Sequence, residues 1–276
     1  MEFYYFILKF LKRIYLFFFS IKQTSLIFNT KDAQIASNKI YNLLASDKPC
    51  MIARFGANES NVLQNYIKIN SKHRSILDFI RGKSAAWWWN NSILRNFKLG
   101  AGFFPIETLL VEKYCKLTLS DIPEVNILGT WRYDENLCED ELQNTVKINF
   151  EYLEPFFANN PWTKALEGKK VLVIHPFQNS IESQYKKHKL LFKNNLLPKF
   201  ELKTIKAVQT VANEKSEFEN WFEALDFMKN QMNEIDYDIA LIGCGAYGFN
   251  LAAHAKRMGK KGFHLGGVLQ MLFGIT

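Results

Sequence analysis

A glycine-rich turn near the carboxyl end of the chain is the sharpest chemical signal in the sequence. Gly243-Cys-Gly-Ala-Tyr-Gly248 has the pattern GxGxxG, follows an apolar run at 238–242 and precedes a helical pattern at 249–258. Glycines at this spacing permit a tight turn and close approach of a phosphate, and the following helix offers free N–H groups. We therefore expect Gly243, Gly245 and Gly248 to bind a phosphate or nucleotide. A purely structural turn is the alternative.

The same pattern occurs in dinucleotide-binding dehydrogenases, but two features argue against that class. An acidic residue should follow about 20 residues on to hold the ribose, and a second mononucleotide-binding half should come after it. Here the next predicted strand runs into Gly266-Gly267, and nine residues remain after Gly267. An NAD(P)-dependent oxidoreductase is consequently the less favoured interpretation.

A second polar segment lies at the carboxyl end of the predicted strand 49–55. It reads Arg54-Phe-Gly-Ala-Asn-Glu59. A guanidinium such as that of Arg54 pairs well with phosphate, and a carboxylate such as that of Glu59 can bind a divalent cation or act as a general base. The alternative is an ion pair between Arg54 and Glu59, which is common at protein surfaces.

A third polar segment begins at His175, which ends another apolar run. The helix that follows is expected to start at a cap formed by Asn179 or Ser180 and to carry Gln184 and Tyr185. His175 is a candidate catalytic group because of its place at a strand end, and a hydrogen-bonded structural histidine is the alternative.

A fourth polar loop, at 131–135, follows the predicted strand 125–130. Asp134 and Glu135 are carboxylate candidates there, although a solvated acidic turn is the favoured interpretation. Parallel strands end at one edge of a sheet, so the four polar segments are expected to converge on one crevice.

Strands alternate with helices along most of the chain, which predicts an α/β domain with a Rossmann-like, mostly parallel sheet and helices on both faces. A helical insertion at about 61–119 is broken at Gly82, at 100–102 and at Pro105. We expect a single domain over 31–276, preceded by an amphipathic segment over 1–30. Strands are predicted at 49–55, 125–130, 170–175, 202–210, 238–242 and 262–265, and further helices at 31–46, 217–232 and 249–258.

The first 21 residues are rich in aromatic side chains but contain Lys9, Lys12 and Arg13. These charges argue against a membrane-spanning helix and against a cleaved signal peptide. The segment is expected either to lie on an anionic membrane surface or to pack on the domain. On a helix, one stripe collects apolar side chains: Phe3, Phe6, Ile7, Phe10, Ile14, Phe17, Phe18 and Ile21.

The composition is that of a basic globular protein, because 48% of the 276 residues are hydrophobic and the formal net charge is +8. Nucleic acid is not an expected partner, since Lys186, Lys187 and Lys189 cluster like a solvated helix face. The four cysteines are widely spaced beside apolar runs. They indicate a reducing, cytoplasmic compartment and no structural zinc. If residues 1–21 bind lipid, we expect that contact at the inner face of the cell membrane.

Taken together, four segments resemble the bacterial glycosyltransferases of the GT-D fold, which act in glycan, capsule and surface-polysaccharide assembly. The resemblance extends over about residues 45–276. It rests on the order and spacing of Ile52-Ala-Arg-Phe-Gly-Ala-Asn-Glu59, Val171-Leu-Val-Ile-His-Pro-Phe177 with Ser180-Ile-Glu-Ser-Gln-Tyr185, Ala240-Leu-Ile-Gly-Cys-Gly-Ala-Tyr-Gly248, and His264-Leu-Gly-Gly-Val-Leu-Gln-Met-Leu-Phe-Gly274.

The resemblance implies a nucleotide-sugar donor, a glycan or lipid-linked acceptor, and transfer of the sugar to an acceptor hydroxyl. Glu59 and His175 are the candidate catalytic groups, because one of them must take the acceptor proton. Substrate binding is assigned to a wider set: Arg54, Gly56, Asn58, Gln184, Tyr185, Gly243, Gly245, Gly248, His264, Gly266 and Gly267.

One departure from the family pattern concerns the metal. The family has Gly-Asp-x-Glu, in which both carboxylates serve a metal-bound nucleotide, whereas this chain has Gly56-Ala-Asn-Glu59. Three outcomes stay open: Glu59 with Asn58 still holds Mg²⁺ or Mn²⁺, basic groups such as Arg54 replace the cation, or the protein binds a donor without turning it over. The last outcome makes it a non-catalytic nucleotide-sugar-binding protein.

Overall fold

A single sheet of parallel strands organises the chain in the computed structural model, which describes residues 2–19, 26, 28–132, 135, 138–192, 196–211 and 216–276. The strand order is β3-β2-β1-β7-β6-β4-β5, and each neighbouring pair is parallel. The strands in these described parts are β1 (Cys50–Ala53), β2 (Ile127–Thr130), β3 (Val146–Asn149), β4 (Lys170–His175), β5 (Glu201–Lys206), β6 (Ile239–Ile242) and β7 (Lys261–His264).

Helices cover both faces of this sheet, as the alternation in the sequence predicts. They are α1 (Glu2–Phe18), α2 (Ala33–Ala45), α3 (Ala57–Asn70), α4 (Ile76–Ile80), α5 (Asn91–Ala101), α6 (Thr108–Asp121), α7 (Gln178–Tyr185), α8 (His188–Leu191), α9 (Trp221–Glu234) and α10 (Gly248–Arg257). A 3₁₀ helix over Gly266–Phe273 follows the last strand. The predicted α/β fold with a parallel, Rossmann-like sheet is confirmed.

The two faces of the sheet bury separate cores because successive side chains of a strand point to opposite sides. In β1, Met51 and Ala53 belong to the core under α3, α6, α9 and α10, whereas Cys50 and Ile52 belong to the core on the α2 side. All four residues of β1 are fully buried. Burial on both faces explains why β1, β4 and β6 are nearly continuous apolar runs.

Three details of the predicted elements are wrong. Strand β3 was not expected, because only Ile148 of its four residues is buried and no apolar run marks it. The strand predicted over 202–210 ends at Lys206. Helix α7 begins at Gln178, without a side-chain cap from Asn179 or Ser180, and the Gln178 amide instead donates to the Thr204 hydroxyl at 2.8 Å.

The predicted helical insertion forms α3 to α6, and its breaks fall where glycine and proline predicted them. Gly102 ends α5 with φ +79°, in the left-handed region that glycine favours. Asn65 on α3 fixes the tryptophan-rich segment that precedes α5. Its side-chain amide donates to the carbonyls of Ala86 (2.8 Å) and Trp88 (2.9 Å), and its carbonyl accepts from the Asn90 N–H (3.0 Å).

None of the described helices is long and apolar enough to cross a membrane. Helix α1 instead lies along the insertion, where it contacts α4.

Replacing Asn65 with leucine is expected to lower the free energy of unfolding by about 2–4 kcal/mol, because Asn65 is fully buried and three backbone groups lose their partner. Chemical denaturation measures the change. Asn70→Leu on the exposed end of the same helix is the matched control and should cost well under about 1 kcal/mol. Equal losses in the two variants would mean that the Asn65 hydrogen bonds do not hold the segment.

Candidate functional site

The loops that follow β4, β6 and β7 meet at one point of the carboxyl edge of the sheet. A Cβ atom placed on Gly243 would lie 2.6 Å from the Gly266 carbonyl oxygen and 2.9 Å from Cδ2 of His175. Real Cβ atoms do not come so close to other heavy atoms. Gly243 therefore has no room for a side chain. Because glycine has none, the three loops can touch.

Beside this contact lies a cleft of about 140 Å³, which we call the glycine cleft. Its volume is below the roughly 300–1,000 Å³ of typical small-molecule sites, so it fits one group of a larger ligand, such as a phosphate or a ribose. The cleft is lined by Ala101, His175, Pro176, Phe177, Val208, Gln209, Thr210, Val211, Gly243, Cys244, Gly245, Tyr247, Gly267 and Gln270.

His175 presents a hydrogen-bond donor at the cleft. The Phe177 N–H donates to Nδ1 of His175 at 3.0 Å, so the proton of the neutral ring sits on Nε2. Burial lowers the pKa of His175 to about 4, and the ring is therefore neutral at pH 7. Because Nδ1 is already engaged and Nε2 carries the proton, this geometry suits donation to a ligand oxygen better than acceptance of a proton.

At the other two positions of the GxGxxG pattern, different structural constraints require glycine. Gly245 has φ +55°, which favours glycine, and a Cβ there would lie 2.9 Å from the Ala101 carbonyl oxygen. A Cβ on Gly248 would lie 2.1 Å from Nδ1 of His264. His264 is buried against the first turn of α10, and neither Gly248 nor His264 lines the glycine cleft. Burial lowers the pKa of His264 to about 3.

Arg54 forms a second part of the site, which we call the arginine site. Its guanidinium carbon lies 5.5 Å from the ring centre of Trp131 and 5.3 Å from that of Phe150. The indole N–H of Trp131 donates to the Phe55 carbonyl at 2.9 Å, which holds the ring in place. A Cβ on Gly266 would be 3.9 Å from the Arg54 side chain, so the arginine site adjoins the loop contact.

The charge of Arg54 is held in a half-buried setting beside several carboxylates. Burial lowers the pKa of Arg54, while the negative charges of Glu59, Glu154 and Glu135 raise it. Glu135 is itself buried, and its carboxylate accepts the backbone N–H groups of Trp131 (3.4 Å) and Arg132 (3.3 Å). The interpretation of Glu135 as a solvated acidic turn is therefore wrong. Asp134 lies outside the described residues.

Glu59 folds back over the start of α3. A Cβ on Gly56 would lie 2.1 Å from its Oε2, so the glycine makes room for the carboxylate. Burial raises the pKa of Glu59, while backbone hydrogen bonds at Asn58 and Glu59 and the charges of Arg54 and Arg132 lower it. The carboxylate thus satisfies the amino terminus of α3 and faces two arginines.

The residues around Glu59 do not fit the divalent cation that the family resemblance implies. Mg²⁺ and Mn²⁺ favour several oxygen ligands, whereas Glu59 has two cationic neighbours and Ala57 offers no second carboxylate. Among the residues that the structure describes, no three His, Cys, Asp or Glu side chains are grouped to hold a metal ion.

In addition to Gly248 and His264, three predicted substrate-binding residues on α3 and α7 do not line the cleft. The Asn58 amide packs against Gly100 of α5, where a Cβ would lie 2.4 Å from its nitrogen. The Tyr185 hydroxyl donates to the Phe200 carbonyl (2.9 Å) and accepts from the Phe200 N–H (2.6 Å), which ties α7 to the start of β5. Gln184 lies half-buried on α7, away from the residues that line the cleft.

Two groups of site residues were missed by the sequence reasoning. The segment after β5 lines the cleft, and its Thr210 hydroxyl donates to the Gly102 carbonyl. Phe150, which flanks Arg54, follows the unexpected strand β3. Residues 207–210 were predicted as part of a strand, so their place beside the cleft was not expected, and no signal in the sequence marks Phe150.

The site is elongated along the edge of the sheet. β1 and β4 are separated by β7 and β6, and three strand spacings of about 4.8 Å put roughly 14 Å between them. Glu59 follows β1 and His175 ends β4, so the two candidate catalytic groups lie at opposite ends of the site. At this separation the two side chains do not act on the same reacting atom.

The fold and this site define an α/β protein with a crevice at the carboxyl edge of a Rossmann-like sheet. Comparison of the chain with protein-family models, with curated proteins and with solved structures finds no match.

Adding a methyl group at Gly248 is expected to destabilise the protein by about 1–3 kcal/mol, because it collides with the buried ring of His264. Thermal unfolding of Gly248→Ala measures this. Gly267→Ala is the matched control, because a Cβ at Gly267 meets nothing within 4 Å and should change stability by no more than about 0.5 kcal/mol. A Gly248→Ala protein as stable as wild type would contradict the packing of His264.

Acidification is expected to destabilise the protein through His175. Its pKa is near 6.5 when unfolded and about 4 when folded, so between these values the unfolded chain binds the proton that the folded protein excludes. Between pH 7 and pH 5 this costs about 2 kcal/mol. Chemical denaturation at both pH values measures the free energy of unfolding. Between pH 7 and pH 5 this free energy should fall less in His175→Asn than in wild type, and as much as in wild type in the exposed control His73→Asn. An identical fall in both variants would show that His175 does not cause the acid destabilisation.

Proposed function

We propose that this protein is a glycosyltransferase that moves a sugar from a nucleoside diphosphate donor to a hydroxyl of a glycan or lipid-linked acceptor in surface-polysaccharide assembly. The observation that carries the proposal is the half-buried cation Arg54 beside the glycine cleft, at the edge of a parallel sheet where such folds bind nucleotides. The four-segment resemblance to GT-D glycosyltransferases supports the same class.

The two parts of the site match the two ends of such a donor. The glycine cleft suits one compact group of the nucleotide, and Nε2 of His175 can donate to one of its oxygens. The arginine site places a positive charge next to Gly266, which precedes Gly267 in the lining of the cleft. A diphosphate-linked sugar is long enough to contact both.

Departure of the nucleoside diphosphate is the step for which Arg54 is suited. The bond between sugar C1 and the phosphate oxygen breaks, and the electron pair leaves with the phosphate. Negative charge grows on that oxygen, and a fixed guanidinium in a half-buried setting stabilises it more than it stabilises the bound donor. Trp131 and Phe150 hold the guanidinium in position before the donor arrives.

The new bond forms between the acceptor oxygen and C1, and the acceptor proton must pass to a base. Glu59 is the better candidate of the two, because burial raises its pKa and favours proton acceptance. His175 lacks an open lone pair on its ring in the observed hydrogen-bonding arrangement. Glu59 therefore takes the role of base, and His175 that of a donor to the leaving nucleotide.

A second candidate function is a nucleotide-sugar-binding protein without turnover. Two features favour it: Ala57 stands where the family has aspartate, and the Glu59 carboxylate is engaged at the start of α3. Binding and transfer must therefore be measured separately.

Binding is tested by thermal shift with UDP-, GDP-, CMP- and dTDP-sugars and NAD, each in EDTA and in Mn²⁺. We expect stabilisation by one nucleotide sugar, already present in EDTA, because arginine supplies the charge. Arg54→Met keeps the side-chain bulk and should weaken binding at least about tenfold, since a charge-assisted contact is worth roughly 1.5–3 kcal/mol. The exposed Arg95→Met is the control and should bind like wild type.

Transfer is tested by product formation with the donor that binds. Glu59→Gln should retain binding and lose about 100-fold or more in kcat, as expected for a general base. Binding without any product in the wild type would favour the second candidate. A shift with NAD and with no sugar nucleotide would overturn both candidates, and stabilisation that requires Mn²⁺ would contradict the arginine-based site.

A further inference from the structure

Helix α1 is held on the protein by one narrow face. Leu8 is 4% exposed and belongs to an aromatic cluster with Phe79 and Trp88. The Tyr5 ring stacks on Trp88 with 4.1 Å between centroids, and Nζ of Lys12 lies 4.6 Å from the centre of the Phe79 ring. These contacts at positions i, i+3 and i+7 fix which side of the helix faces the protein.

The opposite face of α1 carries the apolar stripe identified in the sequence. At 3.6 residues per turn this stripe covers an arc of about 120°, centred roughly opposite the docked residues. Ile21 lies outside the described residues. The other stripe residues are between 39% and 82% exposed: Phe3, Phe6, Ile7, Phe10, Ile14, Phe17 and Phe18. A contiguous surface of seven large apolar side chains, five of them phenylalanine, marks an interaction site.

Basic residues accompany this surface. Lys9 and Arg13 are exposed on one border of the apolar arc. The segment 72–83 includes α4, which contacts α1, and adds four exposed bases and the exposed Ile76 and Leu77. Residues 2–19 and 72–83 together hold seven Lys or Arg against two acidic residues. The surroundings of the apolar face are therefore strongly positive.

We propose that the exposed face of α1 binds in the headgroup region of an anionic lipid bilayer, with the helix parallel to the membrane plane. Aromatic side chains are favoured at this depth, and the bases beside them attract acidic headgroups. A second copy of this chain fits the face less well, because a two-fold contact would bring the same positive charges together. The inference does not depend on the proposed function.

The test uses the full chain in co-sedimentation with vesicles of phosphatidylcholine alone and with added phosphatidylglycerol. We expect binding to the anionic vesicles that weakens with salt. Phe6→Ser/Phe10→Ser/Phe17→Ser should reduce the partition coefficient at least about tenfold, because three aromatic rings leave the interface. The matched control is Leu109→Ser/Leu190→Ser, which changes two leucines that are 79% and 83% exposed elsewhere, and it should bind like wild type.

A second pair of variants tests the charge and leaves the apolar face intact. Lys9→Glu/Arg13→Glu should reduce binding to anionic vesicles about tenfold or more, whereas Lys186→Glu/Lys187→Glu, at exposed positions between α7 and α8, should not. Absence of binding to anionic vesicles, or equal binding by the triple variant and its control, would overturn the proposal. So would a wild-type dimer in sedimentation velocity that the triple variant converts to monomer.

Discussion

The approach of three loops around Gly243 is the constraint on which the rest of the site depends. Because no side chain stands there, the segments after β4, β6 and β7 lie in van der Waals contact, and His175 and Gly266 are brought beside one another. The glycine cleft lies on one side of this contact and Arg54 on the other. Any side chain at position 243 would separate the loops and move both halves of the site apart.

Charge is distributed unevenly along the crevice, and burial sets what each group can do. At one end a neutral histidine offers a hydrogen bond without adding charge, because burial lowers its pKa to about 4. At the other end Arg54 keeps its charge in a half-buried setting with acidic neighbours such as Glu59 and Glu154. An anionic ligand that spans the crevice therefore meets neutral polar groups at one end and a fixed positive charge at the other.

The sequence predicted the elements better than the orientations of their side chains. Fully buried strands leave apolar runs that can be recognised, whereas β3 buries little more than Ile148 and gives no such run. Arg54 and His175 were found because a strand end places them near the crevice whichever way neighbouring helices pack. Asn58 and Tyr185 lie on helices, and the rotation of a helix about its axis decides whether a side chain faces the cleft or the core. That rotation is set by contacts with residues elsewhere in the sequence: Gly100 for Asn58 and Phe200 for Tyr185.

The position of β7 in the sheet has a consequence for how the protein folds. This strand lies between β1 and β6, and its pairing with β1 joins residues more than 200 positions apart. Until Lys261–His264 is in place, the sheet consists of two three-stranded halves, β3-β2-β1 and β6-β4-β5, each with an open inner edge. The crevice forms only when the two halves join, so assembly of the site depends on the pairing of strands that are most distant along the chain. Before that pairing the open strand edges make the protein most prone to aggregation.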